Sequence, residues 1–457
     1  PQVYLSQNTR NNLNTDGRNR IGGTEYTHIK TNDFVNDGTK IGNGGVTVVE
    51  ANTITNRTLT NQLSEITGDK TYLKAIGNIK NIGSKIYGQE VASVISENGN
   101  ILNETTTRKI EEYQNELSRT KFNEIASAGQ ISSEGVTYIE GNNYTSKAAI
   151  TTGNKLIINA KNNVNIENIE LTGEQKFGKD SNNYEAYGFK KNIGSDVKAN
   201  DLQIKAKNLN IKGSDVYTNT ANIDAKVNIS SAIDYEDRES KSKEKGFLSS
   251  KSFFDKSHEE SNSAGTLFVK NQGIITGDVN VVGSNLALGD NSYIAGKLTI
   301  DSAQLNSTHY HEESKKGFSA SIGSSGFNVG YGKNQSTLKE KNLTNAKSNV
   351  VLGDGTVLNK GADITATNLT HGKIIVNNGD VKFGARKDTK DVETYSKSSG
   401  VNLSVRIKSQ ALDRVQQGFD SFNQLKSGDI FGGVASATNT ATGIVSGLAS
   451  NQGTRLP

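Results

Sequence analysis

The chain is long, poor in apolar residues and nearly neutral, with 457 residues, 33% hydrophobic and 6% aromatic content, and a formal net charge of +4. This composition is thin for a large globular core but sufficient for a solenoid, in which each coil buries only a narrow apolar strip. The absence of Cys excludes disulfides, iron–sulfur clusters, thiolate zinc sites and Cys nucleophiles, and the small charge excess does not favour a nucleic-acid partner.

Proline is restricted to the two ends of the sequence, Pro1 and Pro457, and methionine is absent. A stacked sheet in which nearly every backbone N–H is bonded to the next coil would exclude proline, and a low-GC codon bias would have the same effect. Because there is no Met, we expect the sequence to be a piece of a longer protein, so the lack of a signal peptide carries no information.

The first part, residues 1–149, begins polar and irregular and turns to alternating strands near Val46. The segment Gly77–Asn81 reads Gly-Asn-Ile-Lys-Asn and recurs at Gly99–Asn103 as Gly-Asn-Ile-Leu-Asn, a step of 22 residues. A period near 20 with one or two strands per step matches one turn of a parallel β-helix. We therefore assign residues 1–149 to β-helix coils.

Residues 107–126 interrupt this pattern. Ile110, Tyr113, Leu117 and Phe122 stand at roughly helical spacing among Glu, Lys and Arg residues. The spacing predicts a helical or loop insertion near 107–126.

Longer repeats occupy residues 150–408. In one of them Leu202, Ile204 and Ala206 alternate with polar residues, and Leu209 and Ile211 continue the alternation. Strict alternation marks a strand with one buried face. The same order occurs earlier in the chain, at Leu156, Ile158, Ala160, Val164 and Ile166.

A short motif at Gly213, Gly-Ser-Asp-Val, is echoed at Gly283 and Gly361, at spacings of 70 and 78 residues. We expect the three to be equivalent positions of a repeat that tolerates insertions. With roughly 350 residues in coils of about 20, the chain would hold about 17 coils. The alternation predicts buried positions at Ile204, Leu209, Ile211, Ile223, Val227, Leu298 and Ile300, and unburied ones at Lys205, Asn210 and Thr299.

Each long repeat also carries a charged tail, at residues 173–192, 235–247, 309–318 and 390–401. Three of the tails contain Gly-Phe, and a strand of small residues often follows. A charged strand, a turn and a return strand predict a hairpin that projects from the coil.

These repeats resemble the haemagglutinin repeats of filamentous haemagglutinins and of contact-dependent growth-inhibition exoproteins over most of residues 45–408. The resemblance implies export by two-partner secretion, a right-handed parallel β-helix and display as a surface fibre. In the growth-inhibition members such a region resembles the segment that assists toxin passage across a target outer membrane. The motifs that carry the resemblance are the Glu/Lys tails ending in Gly-Phe, Gly317 to Gly332, and Leu202-x-Ile204-x-Ala206-x-x-Leu209-x-Ile211-x-Gly213-Ser214.

The last part, residues 409–457, has a different character. Its apolar residues lie at spacings of 3, 4, 3 and 3, which predicts one face of an amphipathic helix, and residues 430–451 carry no charge. We expect the helix to dock on the open end of the coil as a cap, with membrane insertion as the alternative. The apolar residues of the helix are Leu412, Val415, Phe419, Phe422 and Leu425.

More specific functions, such as metal binding and catalysis, are less well supported by the sequence. His258-Glu259-Glu260 and His311-Glu312-Glu313 repeat each other, with His309 nearby, and offer metal-binding side chains. Adjacent strand residues point to opposite faces, however, so we predict a solvated hairpin and no metal. Asp and Glu are scattered, so we predict no enzyme and no catalytic residue. The abundant Asn is expected to stack in ladders at turns that bond coil to coil, with glycan binding as a further alternative.

We therefore predict an all-β fold: a right-handed parallel β-helix (solenoid) with projecting hairpins and a short α-helical C-terminal segment, the handedness following from the resemblance. The predicted function is a non-catalytic segment of a secreted fibre on the surface of a Gram-negative bacterium, supporting toxin delivery into neighbouring bacteria. The alternative is an adhesin segment. Expected partners are a target-cell outer-membrane receptor or surface glycan, the outer-membrane transporter during export, and a membrane in contact with residues 409–457. No cofactor and no nucleic acid is expected.

Overall fold

The computed structural model describes residues 19–59, 62–246, 249–323 and 326–397, with residues 317–332 described by their backbone alone. These ranges are all-β, and none of their segments is a helix that could cross a membrane. The strands are β1 (Asn19–Ile21), β2 (Tyr26–Lys30), β3 (Asp33–Asp37), β4 (Thr39–Ile41), β5 (Val46–Ala51), β6 (Thr53–Arg57), β7 (Glu65–Ala75), β8 (Ile79–Ile82), β9 (Lys85–Ser96), β10 (Ile101–Glu104), β11 (Thr106–Asn115), β12 (Ser118–Ser127), β13 (Gln130–Ser133), β14 (Val136–Lys147), β15 (Ile150–Glu167), β16 (Ile169–Asp180), β17 (Asn183–Ile193), β18 (Asp196–Lys212), β19 (Asp215–Ser230), β20 (Ala232–Lys245), β21 (Ser249–Ser263), β22 (Thr266–Val269), β23 (Gly273–Ile275), β24 (Val279–Val282), β25 (Asn285–Leu288), β26 (Tyr293–Ile294), β27 (Leu298–Asp301), β28 (Ala303–Gly323), β29 (Gly326–Ala346), β30 (Ser348–Leu352), β31 (Thr356–Leu358), β32 (Ala362–Thr365), β33 (Thr367–His371), β34 (Ile374–Val376), β35 (Val381–Gly384) and β36 (Thr389–Ser396).

Parallel pairing joins 27 of these strands into one sheet that winds as a β-helix. One coil crosses three sides, as in β22, β23 and β24, and each strand pairs with its counterpart in the next coil, β25, β26 and β27. Twelve coils are described, and at about 4.8 Å each they make a stack about 55 Å long. On the third side, one inward-facing position is stacked in register through all twelve described coils. From the first coil to the last, it is occupied by Asn36, Asn56, Asn81, Asn103, Ser146, Ile166, Ile211, Ile229, Val281, Ile300, Ile364 and Phe383.

The core is a continuous column of aliphatic side chains inside this winding. All seven positions predicted to be buried are at most 2% exposed, and the three predicted to be unburied are half-buried or exposed. The predicted stacking is confirmed for Ile79 on Ile101, 22 residues apart, and for Leu156 on Leu202. The alternation therefore predicted correctly which residues of each strand point inward, because only one face of a strand can reach the narrow interior.

Two expectations about the repeat were wrong. Gly361 is not equivalent to Gly283, because the strand after Gly283 stacks on β30, whereas the strand after Gly361 stacks on β27. The described residues hold twelve coils where about 17 were expected for the chain, because the excursions out of the coil are longer than predicted. The right-handed sense and the domain boundaries stay predictions.

The remaining nine strands form a second, antiparallel sheet in plain sequence order, β11-β12-β16-β17-β20-β21-β28-β29-β36. β11–β12, β16–β17, β20–β21 and β28–β29 are hairpins, and β36 pairs with β29. Neighbouring hairpins also pair edge to edge, as β17 does with β20 and β21 with β28. We call this the hairpin sheet. It includes residues 107–126. Of the helical or loop insertion predicted there, the helical alternative is wrong, because Ile110 and Phe122 face each other across a hairpin.

The hairpins leave the solenoid at one corner, on every second coil. The position that precedes the corner is, in consecutive coils, Glu104, Lys147, Glu167, Lys212, Ser230, Val282, Asp301, Thr365 and Gly384. Excursions follow the first, third, fifth, seventh and ninth of these. Two coils and one two-stranded hairpin rise by the same amount, about 10 Å, so both sheets grow at one rate.

Candidate binding surfaces

The hairpin sheet places three of the five histidines beside carboxylates. On one face, His258 Nδ1 lies 2.7 Å from Asp237 Oδ1 and His258 Nε2 lies 3.7 Å from Glu260 Oε1. The ring of Tyr235 stacks on the His258 ring at 5.3 Å, and Lys190 lies over Tyr235 at 5.4 Å. This group joins three strands of two hairpins through charge and aromatic contact.

The opposite face carries a second group around Asp255. Its Oδ2 lies 3.1 Å from His309 Nε2 and 3.0 Å from His311 Nδ1, so one carboxylate oxygen holds two imidazoles. Phe253 packs edge-on against His311 at 5.2 Å. Because residues two apart share a strand face, the His309-x-His311 spacing could have indicated this pair, whereas its partner Asp255, 54 residues from His309, lies on another hairpin.

The repeated His-Glu-Glu motifs are therefore separated by the sheet. His258 and His309 lie on opposite faces, since His258 is opposite Thr308 in the pairing of β21 with β28. Within the described ranges, no group of three or more His, Asp or Glu side chains is arranged to hold a metal ion. The arrangement links strands and hairpins; the two groups share no cavity in which a substrate atom could meet both.

Tyrosine–carboxylate pairs link further strands. Tyr184 Oη donates to Glu239 Oε1 across 2.6 Å, joining β17 to β20, and Lys176 lies 4.3 Å from the centre of the Tyr184 ring. The hydrogen bond to Glu239, reinforced by burial, raises the pKa of Tyr184 to about 12. Within a single strand, β28, the hydrogen bond of Tyr310 to Glu312 likewise raises the pKa of that phenol.

The base of the hairpin sheet is its best-packed part. Phe189 is 4% exposed, and its ring lies over Gly173, where an added Cβ would come within 2.3 Å of ring atom Cε1. Leu171 and Ile193 pack with Ala148 at the corner of the solenoid. Further out, most residues on both faces are half-buried or exposed, so cross-strand pairs rather than a core support the outer sheet.

The outer surface of the solenoid offers a different chemistry. Tyr217 and Phe268 are 38% and 40% exposed and stack at 5.9 Å. Beside them on the same side, Asn285, Asn349 and Asn368 form a ladder of amide hydrogen bonds of 3.0 Å each. The predicted bonding of Asn side chains from coil to coil is confirmed here, but this ladder runs along strands, whereas the prediction placed the ladders at turns. An exposed aromatic pair next to a row of amide donors and acceptors can bind a polar ring by stacking and hydrogen bonding.

Comparison with known proteins finds a family match in the part of the chain that holds the long hairpins. The hemagglutinin repeat family matches residues 178–246 and 248–402. No curated protein and no solved structure is significantly similar to the chain. The match covers the second half of β16–β17, the hairpins β20–β21 and β28–β29, and the coils between them.

Proposed function

Residues 178–402 of this chain belong to the hemagglutinin repeat family and form a filamentous-haemagglutinin-like region, and from that membership we propose that the chain is a non-catalytic segment of a secreted surface fibre. We further propose that the fibre belongs to a Gram-negative cell, is exported through an outer-membrane two-partner transporter, and supports toxin delivery into neighbouring bacteria.

One observation carries the fibre proposal: the hairpin sheet contributes one strand for each coil level from Glu104 to Gly384. A solenoid alone bends at its coil interfaces, because each coil contacts only its neighbours. A second sheet fixed along one corner, with the same rise, resists bending in its own plane. Such a two-sheet rod is suited to hold a distal domain at a set distance from the cell.

The delivery role is tested by removing the region from the full protein. An in-frame deletion of residues 178–402 would be compared with the intact protein for surface display, for binding to target cells and for target-cell killing in co-culture. Normal display and binding with loss of killing is expected from a delivery segment. Loss of target-cell binding with normal display would transfer the function to adhesion, and unchanged killing would reject delivery.

The adhesin alternative has its own observation, the exposed Tyr217–Phe268 pair beside the Asn285–Asn349–Asn368 ladder. Its ligand class would be a surface glycan, since sugar rings stack on aromatic faces and bond to amides. Phe268→Ala would abolish glycan-array binding, whereas Tyr72→Ala, which removes a similarly exposed aromatic from another side, would not. Equal binding by the two variants would reject this surface.

A further inference from the structure

The two faces of the hairpin sheet differ in charge at its outer end. On the face that carries His258, the outermost two rows shared by β20, β21, β28 and β29 contain four lysines and neither Asp nor Glu. The corresponding two rows of the opposite face contain two lysines and two glutamates. The first face, which we call the lysine face, therefore has a formal charge of +4 there, and the opposite face has none. The four lysines are Lys243, Lys245, Lys316 and Lys333.

All four of these lysines are exposed, and two of them repel each other across a strand pair. Lys316 is directly opposite Lys333 in the pairing of β28 with β29, and like charges in this position destabilise the pair. On the opposite face Lys251 and Lys315 are opposite each other in the same way, but Lys315 Nζ lies 2.8 Å from Glu313 Oε1. The two rows of the lysine face hold no such carboxylate, so an anion from outside the chain would relieve their repulsion.

Beyond the lysines, β28 and β29 continue as a two-stranded tip without charge. The pairing of β21 with β28 stops at Gly317, so among the described strands residues 318–323 and 326–331 pair only with each other. Residues 317–332 contain no Asp, Glu, Lys, Arg or His. Alternation along the two strands places three directly opposite pairs of apolar residues on the side that continues the lysine face. These pairs are Phe318 with Tyr331, Ala320 with Val329, and Ile322 with Phe327.

A row of lysines followed by an apolar side fits the surface of an anionic lipid bilayer. Ammonium groups attract lipid phosphates, and the apolar side of an amphipathic element lies at the boundary between headgroups and acyl chains. A soluble polyanion would be bound by the lysines alone and would leave the apolar positions beside them unused. The tip cannot go deeper, because its strands extend about 23 Å against about 30 Å of hydrocarbon and their open edges would lose the water that bonds them.

We propose that the lysine face and the tip of β28–β29 together bind the phosphate-bearing surface of a bacterial membrane, with the lysines at lipid phosphates and the apolar side of the tip at the headgroup boundary. The contact is peripheral, and it weakens with salt because exposed charges are screened. It turns the lysine face toward the membrane and leaves the opposite face, with Asp255, in solution. This proposal goes beyond the fibre proposal and depends neither on toxin delivery nor on glycan binding.

The lysines are tested by vesicle flotation with the full 457-residue chain. The chain should bind vesicles of phosphatidylethanolamine and phosphatidylglycerol, more weakly at high salt, and should not bind vesicles of phosphatidylcholine alone. Lys316→Gln with Lys333→Gln should weaken binding at least about tenfold. Lys251→Gln with Lys315→Gln is the matched control, since it removes the same charge at the same strand level from the opposite face, and it should change binding less than about twofold. Equal losses in the two variants, or no binding by the parent, would overturn the proposal.

The apolar side of the tip is tested by fluorescence, because the chain contains no Trp. Phe318→Trp places a single reporter at a position of the lysine face, and Ser319→Trp places one at the next position, on the opposite face. Anionic vesicles should shift the emission of Phe318→Trp to shorter wavelength and protect it from a soluble quencher. The emission of Ser319→Trp should stay close to its value in buffer. An equal response of the two reporters would overturn the proposed orientation.

Two further outcomes would overturn the membrane surface. Binding of long-chain inorganic polyphosphate that is lost in the Lys316→Gln, Lys333→Gln variant, without a vesicle response of Phe318→Trp, would show a site for a soluble polyanion only. Vesicle binding that survives in the lysine variant and is lost when residues 409–457 are removed would place the lipid contact in that segment. Circular dichroism of each variant verifies its fold. Neither outcome affects the fibre proposal, which is tested separately by surface display and killing in co-culture.

Discussion

The side-chain amide of Asn81 donates to the amide oxygen of Asn103, 2.8 Å away, inside the solenoid, where both residues are 0% exposed. Asn56 donates to Asn81 in the same way, and Asn36 to Asn56. The first four coils thus carry a buried amide ladder at the position where the sixth to eleventh coils carry Ile or Val. Asn81 Nδ2 also lies 2.6 Å from the carbonyl oxygen of Ser84.

Removing a central rung of this ladder should be costly. Asn81→Ala removes the side-chain donor to the amide oxygen of Asn103 in the buried interior, and one of two donors to the Ser84 carbonyl oxygen, which keeps the N–H of Gln130. We therefore expect the free energy of unfolding to fall by about 3 kcal/mol. Asn210→Ala, in a half-buried ladder on the outer surface, should cost less than about 1 kcal/mol because water replaces the lost bond. Thermal and denaturant unfolding of both variants measures the contrast, and equal losses would contradict it.

A charge between coils should disrupt the core locally. Ile211 is 0% exposed and lies between Ile166 and Ile229. Ile211→Asp buries an unpaired carboxylate, and we expect a loss of at least about 3 kcal/mol with new proteolytic cleavage near residues 196–230. The neighbouring outward change Asn210→Asp is the control and should melt within a few degrees of the parent. A more severe effect at Asn210 would contradict the observed strand phase.

Two glycines in the hairpin sheet should differ in how much substitution by Ala changes the stability of the protein. Gly173→Ala forces the Phe189 ring away, because the new Cβ would be 2.3 Å from it, and should cost about 1–3 kcal/mol. At Gly188, on the other face, an added Cβ meets nothing closer than 3.4 Å, so Gly188→Ala should be neutral or slightly stabilising. Hydrogen exchange of residues 169–193 distinguishes the variants, and equal protection in both would be inconsistent with the packing of Phe189.

The Tyr184–Glu239 pair predicts a dependence on alkaline pH. The folded-state pKa of Tyr184, about 12, lies above its ordinary value of 10.0, so its stabilising effect is complete below pH 10 and is lost as the pH rises toward 12. Glu239→Gln removes the largest cause of the shift, and we expect the pKa of Tyr184 to fall clearly. Phenolate absorbance, with Tyr184→Phe as the reference and no Trp in the chain to interfere, gives the measurement.

Glu134→Gln beside Tyr87 is the matched control for this titration. The pKa of Tyr87 is also raised to about 12, but burial is the largest cause there and the hydrogen bond to Glu134 comes second. The substitution should therefore lower the pKa of Tyr87 by less than Glu239→Gln lowers that of Tyr184. A larger effect at Tyr87 would reverse the assigned causes.

The solenoid was predictable because its information is local. Ile79 and Ile101, or Leu156 and Leu202, occupy the same place in short alternating strands, and stacking of like on like follows from a narrow apolar interior. The register failed at Gly361, where a Gly-x-Asp-Ile motif occurs at a different corner from Gly283. Short turn motifs recur at several corners of a coil, so they identify turns without identifying which turn.

The hairpin sheet was less predictable because its pairs depend on the solenoid beneath it. Lys190 faces Tyr235 because two coils bring their hairpins side by side, and nothing near either residue in the sequence indicates the other. The helical spacing of Ile110, Tyr113 and Leu117 misled for the same reason, since an exposed hairpin needs no strict alternation. The partner of His309 and His311 was missed because Asp255 lies on a neighbouring hairpin. The predicted C-terminal helix lies outside the described residues.

The shared rise of the two sheets determines how this protein can change in length during evolution. From Glu104 to Glu167, and again from Glu167 to Ser230, the chain completes two coils and one hairpin in 63 residues. Recombination that inserts or removes such a block preserves both sheets. Loss of one 19-residue coil alone, such as residues 196–214, would make two hairpins leave from adjacent coils. The four strands of these hairpins would then have to fit beside a rise of two coils, about 10 Å, which has room for two strands. Viable descendants should therefore differ in length by whole blocks, with smaller insertions confined to the hairpin tips.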